Sequence, residues 1–582
     1  MCKSLKGGAA VAAVLLLAMA GCNQSPHAVA PKGPSLASQQ WNKLTAGFIE
    51  SYLQAQPDFA ATAGRHEFDG QLPDVSNHGI RREIARLHDE RDQIAAVDPK
   101  TLEPRERFDR DYLLAVANSD LFWLEKAKSP FNNPIWYLGK IDPDVYLNRN
   151  YAPLNVRLKA YIKYARGIPK LADDIKANLQ PPMPKTQVEL GIAQFGGLAD
   201  FYAKQVAPAF ASVSDPDLQK QLADADNAAA QAMTALKQSL VEGLKKANDN
   251  FALGPELYSQ MLRQSEGVDL PVEQIEAAGR ADLERNMAAL KSECDSFAPK
   301  ATLALCVAKM AADKPPGSIL DAARAQLATL KDFVVKNNVV SIPSTEEALV
   351  AEAPAYNRAN FAFIQIPGPY DHGVASVFNI APPDPKWSKG EQAAYTPGRA
   401  TLMFTSAHEV WPGHFLQFLH SNANPAKLEG LWVTSGYGEG WAHYAEEMMY
   451  EMGLGKGDAE THIGQLHEAL LRDVRLLSSI GLHTHGMTVA QSEKMFKEQA
   501  FQDPGNARQQ AARGAYDPAY LHYTLGKLMI RKLRADWMAK HGVTAADDQS
   551  KWHEFHDQFL SYGGPPIPLV RQEMLGEPGS VL

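Results

Sequence analysis

Apolar residues recur at the helical period in one stretch of this chain after another, and that regularity excludes most β architectures. Between positions 40 and 55, Trp41, Leu44, Phe48, Tyr52 and Leu53 mark one face of a helix. The same spacing predicts helices over 80–97, 105–126, 155–178, 217–248, 273–292 and 317–335, and later over 399–421, 435–452, 458–486, 488–499 and 516–540. Pro181-Pro182-Met183-Pro184 and Pro315-Pro316-Gly317 punctuate them, as residues that break helices do. No fixed-period repeat is present. The expected fold class is mainly α, with one large helical domain over 39–582.

One region departs from this pattern. Phe361–Ile366 and Ala375–Ile380 are short β-prone runs, separated by Pro367-Gly368-Pro369-Tyr370-Asp371-His372-Gly373. They read as two strands around a turn-rich loop. Such a pair either lines a cleft as an edge for an extended peptide or is a small structural hairpin.

The N-terminus reads as an export signal. Lys3 and Lys6 precede an uncharged apolar run from Ala9 to Ala20, too short to span a bilayer comfortably. It ends in Met19-Ala20-Gly21-Cys22, similar to a bacterial lipoprotein cleavage box in which Cys22 becomes the lipidated N-terminus over residues 1–21 of signal. A simple secretory signal with an unrelated cysteine is the alternative. Asn23, by the same resemblance, points to the outer membrane and a periplasm-facing protein, and 22–38 reads as a flexible tether. Of four cysteines, Cys294 and Cys306 lie outside the leader. An oxidising compartment favours a bridge between them, against two buried thiols. The formal net charge of -9 argues against a general nucleic-acid binder. Nothing in the chain speaks to oligomeric state.

The apolar run from Ala400 to Leu419 carries His408-Glu409-Val410-Trp411-Pro412-Gly413-His414. Two histidines at i and i+4 with an intervening Glu are a zinc-protease signature. Here the second histidine stands at i+6 and Pro412 occupies i+4. Six residues of ideal helix turn through about 600°, so His414 would point roughly 120° away from His408. Pro412 removes a helical hydrogen bond and Gly413 tolerates unusual angles, so a kink or bulge could swing His414 back. Two unrelated helix histidines are the plainer alternative.

A second cluster, Gly438-Glu439-Gly440-Trp441-Ala442-His443-Tyr444-Ala445-Glu446-Glu447, changes the balance. Glu439, His443 and Glu446 stand at i, i+4 and i+7, on one helical face. Ionisable groups in an apolar segment are costly to bury unless paired or metal-bound. A catalytic zinc takes three protein ligands and keeps an open position. The candidate ligands are therefore His408, His414 and Glu439, with Glu446 or His443 orienting them. For His443 and Glu447 taken alone, a solvated helix face is the simpler expectation.

At this point the chain resembles the bacterial family known as domain of unknown function 885, over nearly the whole mature length. Pro57-Asp58-Phe59-Ala60-Ala61-Thr62-Ala63-Gly64 and Leu72-Pro73-Asp74 fit its opening pattern. His408-Glu409 through Pro412-Gly413-His414-Phe415-Leu416-Gln417, and Glu439-Gly440-Trp441-Ala442, fit its two most specific motifs. Arg475 with Gly481-Leu482-His483, and Tyr523-Leu525-Gly526-Lys527-Leu528 with Arg534, fit two more. The family is similar in layout to helical gluzincin metallopeptidases, which implies a deep central cleft, a small β element beside the active site and a Zn2+ cofactor. Three positions depart from the pattern. Ser479 stands where an acidic residue usually follows Arg475, His443 replaces an apolar residue, and Phe415 replaces a common His.

The resemblance implies an exported zinc metallopeptidase acting on short peptides. Zinc on His408, His414 and Glu439 would lower the pKa of its water towards ~7, and Glu409 would be the general base. Oxyanion donors are Tyr523, His483 and His522; Tyr523 is favoured because similar peptidases use a late tyrosine, with Tyr516 and Tyr520 left open. Arg475 or Lys527 could hold a substrate carboxylate, although ordinary helix ion pairing is the simpler account of both. Other readings are an envelope lipoprotein hydrolysing cell-wall amides or esters, and a non-catalytic binding or assembly lipoprotein with a relic site.

Overall fold

In a computed structural model of the protein, residues 35–354, 358, 361–423, 427–545 and 547–582 are described. The signal segment, Cys22 and most of the expected tether lie outside them. The tether ends sooner than expected, because the first helix, Leu36–Ala55, is capped by the Ser35 side chain and already includes residues 36–38.

The protein is mainly α-helical. Its helices build several apolar cores. One is formed by Leu154–Asn178, Lys185–Lys204 and Pro216–Leu244, through residues such as Leu158, Phe195 and Met233. The largest surrounds the histidine segment and draws on Phe122 and on residues from Tyr258 to Val581. Here Val272–Phe297 packs on the long helix Ala459–Thr484, and Ser435–Glu451 packs on His522–Lys540. The 459–484 helix is buried along most of its C-terminal half, from Ala469 to His483. A helix apolar on all sides is a central element rather than a surface one. Cys294, on the 272–297 helix, is bridged to Cys306. Among the described residues, no helix is long and apolar enough to cross a membrane.

A three-stranded sheet comprises β1 (Leu349–Glu352), β2 (Ala362–Gln365) and β3 (Val377–Ile380), in the order β1-β3-β2. The expected pair is β2 and β3, antiparallel with Ile364 opposite Phe378. β1, parallel to β3, was not expected. β2 is left at the edge of the sheet.

Two helical expectations change in ways that matter for the site. The continuous helix over 399–421 is two helices, Arg399–Glu409 and His414–Ala423. The helix expected over 516–540 begins as a 3-10 turn, Pro518–Leu521, before His522–Lys540.

Candidate metal centre

The break between the two motif helices does what a kink was expected to do. The first helix stops at Glu409, and Val410–Gly413 carries the chain across to a new helix opened by His414. The crossing is held by Gly413 N–H donating to Ala407 O at 2.9 Å, and by Trp441 Nε1–H donating to Pro412 O at 2.8 Å. Gly413 packs so closely on the end of the first helix that a Cβ there would overlap the carbonyl oxygens of His408 and Ala407. The two imidazoles thereby face one another, edge to face, with ring centroids 4.8 Å apart.

Glu439 reaches them from the 435–451 helix, whose first turn is capped by Thr434. That helix crosses His522–Lys540 at a pair of glycines: a Cβ on Gly440 would lie 2.6 Å from Gly526 Cα. The absence of side chains at this crossing lets the two helices that carry Glu439 and Tyr523 approach closely. One ligand atom from each of His408, His414 and Glu439 lies within 4.8 Å of the other two, an arrangement that could hold a metal ion. Glu439 Oε2 is 3.4 Å from Nε2 of both histidines.

The surrounding groups define the protonation of this cluster. His408 Nδ1 donates to Glu446 Oε1 at 2.7 Å, which leaves Nε2 a lone pair in the neutral ring. That lone pair faces the Glu439 carboxylate, whose Oε2 is buried with no hydrogen-bond partner among the described residues. Two acceptors facing each other call for a cation between them. Without a metal a proton takes that place: burial opposes a charge on His408, yet Glu439 and Glu446 outweigh burial and raise its pKa to about 9. Glu439 is likewise held well below the usual carboxylate range, burial being outweighed by the two histidines. Glu446 is fully buried and also forms an ion pair with Arg472 at 3.1 Å, and His443 Nδ1 lies 3.5 Å from its other oxygen.

Glu409 projects beside the cluster, and its Oε2 accepts the Ile364 N–H of β2 at 3.1 Å. Burial raises its pKa, opposed by the neighbouring histidines. The β element is therefore beside the histidine motif, as expected.

The Tyr523 ring stacks at 6.1 Å from His408. Three guanidinium groups surround it, with Arg475 at 4.8 Å, Arg472 at 5.8 Å and Arg513 at 5.9 Å from the ring centroid. Burial and the Glu439 carboxylate raise the Tyr523 phenol above its ordinary value, so it stays protonated.

Several residues singled out in the sequence are otherwise occupied. His483 uses both ring nitrogens on backbone, Nε2 donating to Gly514 O at 2.8 Å and Nδ1 accepting from Leu253 N at 3.3 Å; it has no proton left for an oxyanion. Lys527 is fully buried, with its ammonium 2.5 Å from Asp282 and 3.1 Å from Glu447. It is a core ion pair and not a substrate contact. His522 sits against Glu266, with 3.2 Å between Nδ1 and Oε1. Tyr520 donates to Ser478 at 2.8 Å. His443 and Glu447 are buried rather than solvated. Arg472 and Arg513, by contrast, were not picked out from the sequence, although Arg472 lies one turn before Arg475 on the same helix.

The sequence matches the profile of the family described as "Bacterial protein of unknown function (DUF885)" over residues 57–574. The chain belongs to that family. Two solved structures share the fold of this DUF885 protein. A candidate lipoprotein of unknown function from Shewanella oneidensis is 23% identical with a TM-score of 0.75, covering 92% of this chain and 99% of its own. A candidate lipoprotein from Colwellia psychrerythraea is 18% identical with a TM-score of 0.77, covering 93% and 99%. No functionally curated protein matches the sequence.

Proposed function

We propose that this DUF885 protein is an exported, lipid-anchored, zinc-dependent peptidase acting on short peptides in the periplasm-facing side of the envelope, at the outer membrane. The observation that carries the catalytic reading is the convergence of His408, His414 and Glu439, with Glu409 alongside. Two imidazoles and one carboxylate are a donor set typical of catalytic zinc. A bound zinc would supply Lewis acidity and lower the pKa of its water towards ~7.

The chain's own residues divide the remaining work. Glu409 takes the proton of the attacking water and returns it to the leaving amine; burial raises its proton affinity, which suits a group that must hold a proton and release it. The Ile364 N–H fixes the orientation of its carboxylate. Tyr523, kept protonated beside His408, donates its hydroxyl to the developing oxyanion. The edge strand β2 offers backbone groups to an extended substrate.

The anchoring reading rests on Lys3, Lys6, the Ala9–Ala20 run and Cys22 in the sequence. The descriptions of the two structural neighbours agree with it. The test is metal analysis of protein purified without chelators, coupled to product mapping on a peptide library. Glu409→Gln is expected to retain zinc and lose peptidase activity by at least about a hundredfold; a fully active variant overturns the assignment.

A further inference from the structure

Arg475 is a buried cation without a carboxylate. It is 8% exposed, on the central 459–484 helix. Its Nε donates to a neutral group, Gln510 Oε1, at 2.8 Å. No ion pair to it is found among the described residues, and neither terminal nitrogen has a hydrogen-bond partner there. One turn further on, where a carboxylate could have met it, stands Ser479, which instead donates to Pro518 O. The other guanidinium groups around Tyr523 are neutralised: Arg472 by Glu446 and Glu468, and Arg513 by Asp517 at 2.9 Å. Of the three guanidinium groups, Arg475 is thus the one without a carboxylate partner among the described residues.

Burying an unpaired guanidinium is costly unless an anion arrives to meet it. Its planar fork suits a carboxylate in bidentate geometry. Its place relative to the metal centre is set by Tyr523, whose ring lies 4.8 Å from Arg475 and 6.1 Å from His408. An extended peptide advances ~3.5 Å per residue. The guanidinium therefore lies no more than about 11 Å from the His408 ring, within about three residue lengths of a bond held at the histidines.

We infer that Arg475 is the anchor for the free C-terminal carboxylate of the substrate, so that the site trims short pieces from C-termini. This deepens the peptidase reading and rests on it. Arg513 lies 5.9 Å from the same ring but is paired with Asp517.

The test compares N-acetyl-Ala-Ala-Phe with its C-terminal amide. Cleavage of both is followed in the parent, Arg475→Gln and Arg475→Lys proteins. Equilibrium binding of both is measured calorimetrically on Glu409→Gln protein, with and without Arg475→Gln, each variant checked by circular dichroism and thermal melting. The free acid is expected to be preferred at least about tenfold, chiefly through KM, with the preference lost in Arg475→Gln and partly kept in Arg475→Lys. Equal handling of acid and amide by the parent overturns the anchor while leaving a peptidase. A preference that survives in folded Arg475→Gln also overturns it. If neither peptide is cleaved but the acid binds preferentially through Arg475, the anchor stands and the peptidase reading fails.

Discussion

His408 donates its Nδ1 proton to the buried carboxylate of Glu446 across 2.7 Å, and Arg472 pairs with the same carboxylate oxygen at 3.1 Å. This fixes which nitrogen of His408 is free, and it points the free one at Glu439. Glu446→Gln keeps an acceptor in place but removes the charge that strengthens the imidazole as a ligand. The expected outcome is a folded protein whose zinc affinity falls about 10- to 100-fold, read by competition with a fluorescent chelator. Unchanged affinity would remove Glu446 from the metal centre.

The crossing between the two motif helices depends on Gly413. Any side chain there meets backbone, the carbonyl oxygens of His408 and Ala407, and backbone at a helix end cannot yield without moving His408 or His414. Gly413→Ala is expected to lose stoichiometric metal and to destabilise the protein by about 2 kcal/mol or more. Elemental analysis and thermal melts check both. A variant with full stoichiometry and an unchanged melting temperature would mean that the crossing does not position the histidines.

The long helices were legible because each buries an apolar stripe at its own period: 155–178 was expected and Leu154–Asn178 is found. The convergence of His408, His414 and Glu439 was legible for a different reason, since these residues lie in two short segments whose charges are hard to place in apolar surroundings otherwise. What the spacing could not reveal is how the backbone recovers from Pro412-Gly413. A kinked helix and two separate helices satisfy the same pattern, and the contacts that decide are to Ala407 and Trp441. For Lys527 the simpler expectation, ion pairing, is what is found; its partners Asp282 and Glu447 come from two other helices and carry no local signal. Arg513 was missed with its helix, Pro504–Tyr516, whose buried face consists of small residues such as Ala507, Ala511 and Gly514 and so shows little apolar contrast. β1 is a four-residue strand with no local partner; its pairing to β3 is a long-range event.

The Cys294–Cys306 bridge ties the end of the 272–297 helix to the helix Leu303–Ala312, away from the metal ligands in sequence. Closing a loop of this size stabilises by roughly 3 kcal/mol in the chain-entropy model. Replacing both cysteines by Ser is expected to lower stability by about 2–3 kcal/mol, measured by denaturant unfolding, and to leave zinc stoichiometry intact. A double variant as stable as the parent would show that the packing of the two helices suffices without the bridge.

Glu266 allows a pH prediction independent of the metal ligands. Its carboxyl is fully buried at the start of the 435–451 helix, where Gly436 N–H donates to it at 3.0 Å; burial nevertheless raises its pKa to about 8. The folded state thus keeps a proton that the unfolded chain releases near the ordinary value of 4.5. Stability must then fall as pH rises from about 4.5 towards 8, because the unfolded state binds fewer protons throughout that window. His522, 3.2 Å away, has its pKa lowered to about 4 by burial, so its opposing contribution is complete by its unfolded value near 6.5. Above that pH the loss belongs to Glu266 alone within this pair. Glu266→Gln removes the titrating proton while keeping an acceptor for Gly436. The variant is expected to gain on the parent by a few kcal/mol between pH 6.5 and 9, with the two closest in stability near pH 5. Thermal melts of both proteins at pH 5, 7 and 9 check the sign: a gap that stays constant across this range would show that Glu266 is ionised in the folded state throughout.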